Sequence, residues 1–263
     1  MIENILFCTD YTIDSKQVLM TAQEQGVKVV LASGRPTFGM RNVAKELRLE
    51  EYGSFILSFN GAKIINCKTN EEIFSSTLSP EIVHNLFEIS KTEGVWIHTY
   101  IGDDIVTEEN NPYTEIEGDI TGMPIVIVDD FKAAVKEPVV KVLMNKEAER
   151  LVEVEKKLQK QLEGQLSVMR SKPFFLEFTE AGVTKGTSLN QLIQKLGIKR
   201  EEVIAMGDSY NDQAMIEFAG LGVAMGNAPD DIKEIANYVT DTNMNDGVAK
   251  VVEKFVLKRE ALV

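Results

Sequence analysis

Cysteine, histidine and long apolar runs are what this sequence has least of. Cys8 and Cys67 are its two cysteines in 263 residues, too few for a disulfide framework or a zinc site, which fits a reducing cytosol. The two histidines, His84 and His98, stand apart in the sequence and read as structural. No apolar stretch approaches the ~20 residues that cross a bilayer, and the start of the chain, with Glu3 and Asn4, lacks the basic residues of a signal peptide. Basic residues are outnumbered 28 to 41, and the resulting net charge of −13 argues against a nucleic acid or an anionic membrane as partner. Internal repeats and low-complexity tracts are also missing. A cytoplasmic globular protein is expected, since 44% hydrophobic residues suffice for a core.

Apolar runs alternate with helical patterns at both ends of the chain. Ile5 to Thr9, Val27 to Ala32, Phe55 to Phe59, Val203 to Met206 and Leu221 to Met225 read as buried strands, with helices between them. Such alternation predicts a parallel sheet with right-handed crossovers. Tyr238 to Thr240 and Asn245 to Val248 are expected to close that sheet, and a helix from about Val248 to Leu257 to end the chain. The middle differs. From Leu78 a helix leads into short strands, an irregular stretch from Glu108 to Met123, a long helix from Glu147 and two more strands. That texture predicts an α+β insertion lying over the sheet edge.

Polar residues collect where the core strands end. Gly207-Asp208-Ser209-Tyr210-Asn211-Asp212 follows a strand, and its two carboxylates repel unless a cation lies between them, for which all-oxygen donors suit Mg²⁺. An Asx-rich turn capping the next helix is the other reading of the same loop. Asp10 ends the first strand. Ser33-Gly34 ends the second and either brings a hydroxyl and a close-approaching backbone NH to a phosphate or forms a plain β-turn. Asn60-Gly61 marks a hairpin that leaves Asn60 able to face a ligand. Lys185, just ahead of a helix, is either a solvated cation or the buried partner of the acidic cluster.

In this order the motifs resemble those of the haloacid-dehalogenase-like phosphatases, and among them the Cof type, which carries a large α+β cap. The loop from Gly207 to Asp212 is similar to that family's fourth motif, Leu31 to Pro36 to its second, and Val183 to Gly186 to its lysine motif. Leu221 to Ala228 matches the stretch that follows the fourth. The resemblance implies a Rossmann-like parallel-sheet α/β core formed by residues 1–78 and 183–263, with an inserted cap of residues 79–182 that closes over the site and selects the substrate. It also implies a Mg²⁺-dependent phosphatase acting through an aspartyl-phosphate on a small phosphorylated metabolite such as a sugar phosphate. Asp208 would bind the metal with Asp10, and Asp212 would be a ligand or lie just behind one. Lys185 and Ser33 would hold the phosphoryl group, with Gly34, Asn60 and Asn211 in the same pocket.

The first motif departs from the pattern. The family carries Asp-x-Asp-Gly-Thr, which this chain lacks. An ungapped alignment sets Cys8 at the nucleophile, Asp10 at the acid/base position and Thr12 at the family's Thr. The other makes Asp10 the nucleophile and puts Thr12 at the acid/base position, and this one is preferred because sulfur is a soft ligand for a hard ion. The segment before Gly34 is also about ten residues shorter than the family's usual loop and crossover helix. The expected activity is therefore a phosphatase slowed by its altered motif. The alternatives are an inactive phosphometabolite-binding pseudophosphatase and a phosphotransferase.

Overall fold

The computed structural model describes residues 5–8 and 13–257, with side chains from Asp14 onward. Asp10 and Thr12 therefore lie outside the described residues, and Cys8 is described through its backbone alone. The chain folds as two compact units, one holding the residues up to Phe74 and from Thr184 onward, the other Ser75–Val183. No helix among the described residues is long and apolar enough to cross a membrane.

The first unit opens with β1 (Ile5–Cys8), α1 (Ile13–Glu24) and β2 (Lys28–Ala32). Two short helices follow, α2 (Arg41–Glu46) and α3 (Leu49–Tyr52), then β3 (Phe55–Ser58), β4 (Lys63–Asn66) and β5 (Glu72–Ser75). Arg48, at φ 53°, takes the left-handed conformation and separates α2 from α3.

The second unit runs α4 (Pro80–Glu93), β6 (Trp96–Ile101), β7 (Asp104–Thr107), α5 (Pro112–Thr121) and β8 (Ile125–Ile127). It continues with α6 (Phe131–Ala134), β9 (Val142–Asn145), α7 (Ala148–Gln161), β10 (Leu166–Lys172) and β11 (Phe175–Glu180). Its strands form one sheet, in the order β10-β11-β9-β6-β7-β8. The stretch expected to be irregular contains α5, whose start is fixed by the Asn111 side chain accepting from the Tyr113 and Thr114 amides, with Pro112 at the first helical position.

The chain then returns to the first unit with α8 (Lys185–Leu196), β12 (Val203–Gly207), α9 (Gln213–Phe218), β13 (Leu221–Ala224), α10 (Asp230–Ile235), β14 (Tyr238–Val239) and α11 (Gly247–Val251). A π-helical turn, Val252–Leu257, extends α11. Asn245 to Val248 is not a strand. Asp246, at φ 56°, turns the chain there and starts α11 instead.

The eight-stranded sheet has the order β14-β13-β12-β1-β2-β3-β4-β5. Its pairs from β14 to β3 are all parallel, and β3–β4 is an antiparallel hairpin. This is the expected Rossmann-like core. Strand alternation divides its apolar side chains between two layers. Val29, Leu31, Ile56, Ile204 and Met206 pack with α1, α2 and α11, while Val30, Ala32, Leu57, Val203 and Ala205 pack with α8 and α9. Each of the larger aliphatic side chains contributes about 1.5–3 kcal/mol by burial. Helices on both faces leave the strand ends as the place where polar groups gather.

Candidate active site

In the sheet, β1 lies between β12 and β2, and the chain winds away from it in both directions. At such a switch point, side chains beyond the carboxyl ends of the parallel strands face a crevice rather than a helix layer. Ser33 and Asp208 directly follow two of those ends, and Asn60 lies one residue further past a third.

Backbone geometry ties the loops after β2 and β3 together. The Asn60 amide donates to the Ser33 carbonyl at 3.0 Å, and the Phe59 amide to the Arg35 carbonyl at 3.0 Å. The Ser33 hydroxyl accepts from the Arg35 amide at 3.2 Å. Phe59, Asn60 and Gly61 all have positive φ, so the hairpin is tighter and more strained than a simple Asn-Gly turn. Gly34 lies close under the Asn60 side chain, where an added Cβ would stand 3.0 Å from Asn60 Oδ1 and press on it. The same Oδ1 accepts from Asn211 Nδ2 at 2.9 Å, which joins this pair of loops to the loop after β12.

Lys185 enters from α8. Thr184 caps that helix, accepting from the Thr187 amide, while the Thr187 hydroxyl accepts from the Thr184 amide, so Lys185 falls at the first helical position. Gly186 lets α8 lie directly on α9, since a Cβ there would meet the Ala214 carbonyl oxygen at 2.3 Å. The Lys185 side chain is 1% exposed, and its Nζ donates to Asp212 Oδ1 at 2.6 Å. Of the two readings of this lysine, the buried partner of the acidic cluster is the one observed.

Asp212 is equally enclosed and has both oxygens engaged. Oδ1 takes the Lys185 ammonium, and Oδ2 accepts the Asp208 and Ser209 amides at 3.0 and 3.1 Å. Gly207 makes room for it, because a Cβ at that position would lie 2.3 Å from Asp212 Cβ. Asp208, half-buried, receives Asn227 Nδ2 on Oδ2 at 2.8 Å, and Asn227 Oδ1 in turn accepts the Asn243 amide at 3.0 Å. Asn227 is not among the site residues expected from the sequence, although Gly226-Asn227-Ala228 beyond a strand end is the same kind of signal as Asn60-Gly61.

Ser33, Gly34, Asn60, Lys185, Asp208, Asn211 and Asp212 thus come together at one edge of one unit. Among the described residues no three His, Cys, Asp or Glu side chains form a metal-binding group. Asp10, the further expected carboxylate, lies outside them. The donor at hand, the Asp208 carboxylate, is hard oxygen and suits Mg²⁺ rather than a thiophilic ion.

The second unit has a polar layer of its own. Ile97, Val142, Met144, Leu176 and Phe178 turn to the α4, α6 and α7 side of its sheet. On the alternate positions lie His98, Tyr100, Lys141, Asn145 and Glu177, all buried. Lys141 Nζ pairs with Glu177 Oε1 at 3.0 Å, and Tyr100 donates to Glu117 of α5 at 2.6 Å. Burial, and then the neighbouring Lys141 charge, push the His98 imidazole down to about 3, so it is neutral at physiological pH. Burial also raises the Glu117 carboxyl above the usual range.

Comparison with known proteins agrees with this architecture. The model of the haloacid dehalogenase-like hydrolases matches residues 9–252. The chain is 32% identical over 250 residues to the Bacillus subtilis 5-amino-6-(5-phospho-D-ribitylamino)uracil phosphatase YcsE, covering 93% of this chain and 88% of that protein. The crystal structure of a haloacid dehalogenase-like hydrolase from Bacteroides thetaiotaomicron superposes with a TM-score of 0.91 at 42% identity, covering 97% of this chain and 99% of the other. The sugar phosphatase BT4131 gives 0.77 at 26% identity, over 96% and 98% of the two chains. With loops of the expected order converging on one edge of a Rossmann-like sheet, the chain belongs to the haloacid dehalogenase-like hydrolases of the Cof type and is a phosphohydrolase acting on phosphorylated substrates.

Proposed function

We propose that the protein is a Mg²⁺-dependent phosphatase of small phosphorylated metabolites, sugar phosphates among them, with Asp10 as its nucleophile. The observation that carries this is the register of β1. Phe7 pairs with Ala205 and Cys8 with Leu31, so Cys8 stands two residues short of the levels of both Ser33 and Asp208. Asp10 is the residue two positions further on in sequence. Cys8 therefore belongs to the strand, and the carboxylate that follows it is the group to attack phosphorus.

In this reading Ser33 and the backbone at Gly34 receive the phosphoryl oxygens, and Asn60 and Asn211 line the same pocket. Lys185 supplies positive charge to the transferring group while Asp212 holds it in place. Asp10 and Asp208 would hold Mg²⁺, which offsets the charge of phosphate and carboxylates when bound. Asp212, with both oxygens taken, supports the site from behind Asp208. The carboxylate of Asp10 displaces the substrate alcohol, and water then releases phosphate from the acyl phosphate. Thr12 would stand where the family's second Asp assists that release, so hydrolysis of the intermediate is the slow step. The inserted unit, proposed to span residues 79–182, is assigned the choice of substrate.

The test is phosphate release from a panel of sugar phosphates and other phosphomonoesters, after EDTA treatment and then during Mg²⁺ titration. The reading expects release that is absent with EDTA and restored by Mg²⁺. Turnover indifferent to EDTA, or no turnover of any phosphomonoester, overturns it.

A further inference from the structure

Away from the candidate active site, a cavity of about 420 Å³ opens between α2 and the β3–β4 hairpin. Its size falls in the range of small-molecule sites, ~300–1,000 Å³. One wall comes from α2, where Arg41, Ala44 and Lys45 stand at i, i+3 and i+4, and Arg48, just past the end of that helix, also lines the cavity. The floor is apolar, made by Ile56 and Ile65, which are direct cross-strand partners.

The charges along this cavity are unequally committed. Arg48 is tied to Glu51 by two hydrogen bonds. Arg41 is held with its guanidinium 5.3 Å from the centre of the Phe38 ring. The Lys45 side chain, one helical turn from Arg41, makes no ion pair or hydrogen bond among the described residues, in a protein whose net charge is −13. Cys67 beside the floor is a plain thiol, pushed up to about 12 by burial and by Glu50, so it adds apolar surface and no charge.

We propose that this cavity is a second ligand site, separate from the phosphatase site, for a small aromatic anion. The flat apolar body lies on Ile56 and Ile65, and its carboxylate, sulfonate or phosphate group faces Lys45. Lys45 is not part of the proposed catalytic set, so the two sites can be probed independently.

The test uses the full chain and 8-anilinonaphthalene-1-sulfonate, an aromatic anion whose fluorescence rises on transfer from water. Saturable binding of one equivalent is expected. Lys45→Glu, at an exposed position, is expected to weaken it at least tenfold, or 1.4 kcal/mol. Cys67→Phe, which fills the cavity without changing charge, is expected to weaken it similarly, and Asp208→Asn to leave it unchanged. Circular dichroism confirms that each variant is folded. Failure of the dye to saturate one site overturns the proposal. So does an affinity unchanged in both cavity variants, or a dye displaced by Asp208→Asn.

Discussion

Replacing Lys185 by Met should cost the protein much of its stability as well as its activity. The substitution removes one member of an ion pair in which both side chains are 1% exposed and leaves the Asp212 carboxylate buried without its cation. Stranding a buried charge in this way costs ~3–5 kcal/mol. The lower end is expected, because Asp212 keeps the Asp208 and Ser209 amides. Asp212→Asn should be costly too, since it leaves Lys185 enclosed without a counter-charge. The double variant removes both charges, so its loss should fall short of the sum of the single losses by ~1–3 kcal/mol. Urea unfolding followed by circular dichroism measures all four proteins. Strictly additive losses, or a Lys185→Met loss below about 1 kcal/mol, would refute the argument that this pair is a coupled buried unit.

Three further outcomes follow from the same geometry. His98 stays neutral when folded down to about pH 3 but takes a proton near 6.5 when unfolded, so its contribution is complete above 6.5 and declines as pH falls toward 3. The wild type should therefore lose up to ~1.4 kcal/mol per pH unit more than His98→Asn across that window, and parallel curves would contradict this. Gly207→Ala should displace Asp212 and lower both stability and activity, because the new Cβ would sit 2.3 Å from Asp212 Cβ; an unperturbed melting temperature and rate would rule that out. Asn227→Ala frees Asp208 Oδ2 from its amide partner, so the Mg²⁺ concentration for half-maximal activity should rise severalfold and recover in part in Asn227→Gln.

The core was legible because its strands are short apolar runs with polar residues at their ends, a pattern that survives without tertiary information. Phe55 to Ser58, Val203 to Gly207 and the hairpin through Asn60-Gly61 lie where the residues predict them. Other features depend on what packs beside them. A lysine ahead of a helix is usually solvated. Lys185 is buried because Thr184 starts the helix one residue earlier and Gly186 brings it against α9. Asn111 and Pro112 announced α5, but the acidic residues around them masked its amphipathic pattern. Asn245 to Val248 looked like a strand. Its Asp246 can adopt the left-handed conformation that starts a helix, and no periodicity over four residues separates the two outcomes. The sheet of the second unit hides its polar layer for a related reason. His98 and Tyr100 are as deeply buried as Ile97, so alternation of polarity does not mark a solvent face.

If Asp10, two residues beyond the paired position of Cys8, attacks phosphorus, Mg²⁺-dependent phosphate release by the wild type, Asp10→Asn and Cys8→Ser side by side will show it. Asp10→Asn should lose at least about a thousandfold in rate, as removal of a covalent nucleophile does, while Cys8→Ser should stay within a fewfold of wild type. Activity that survives in Asp10→Asn and disappears in Cys8→Ser would contradict it.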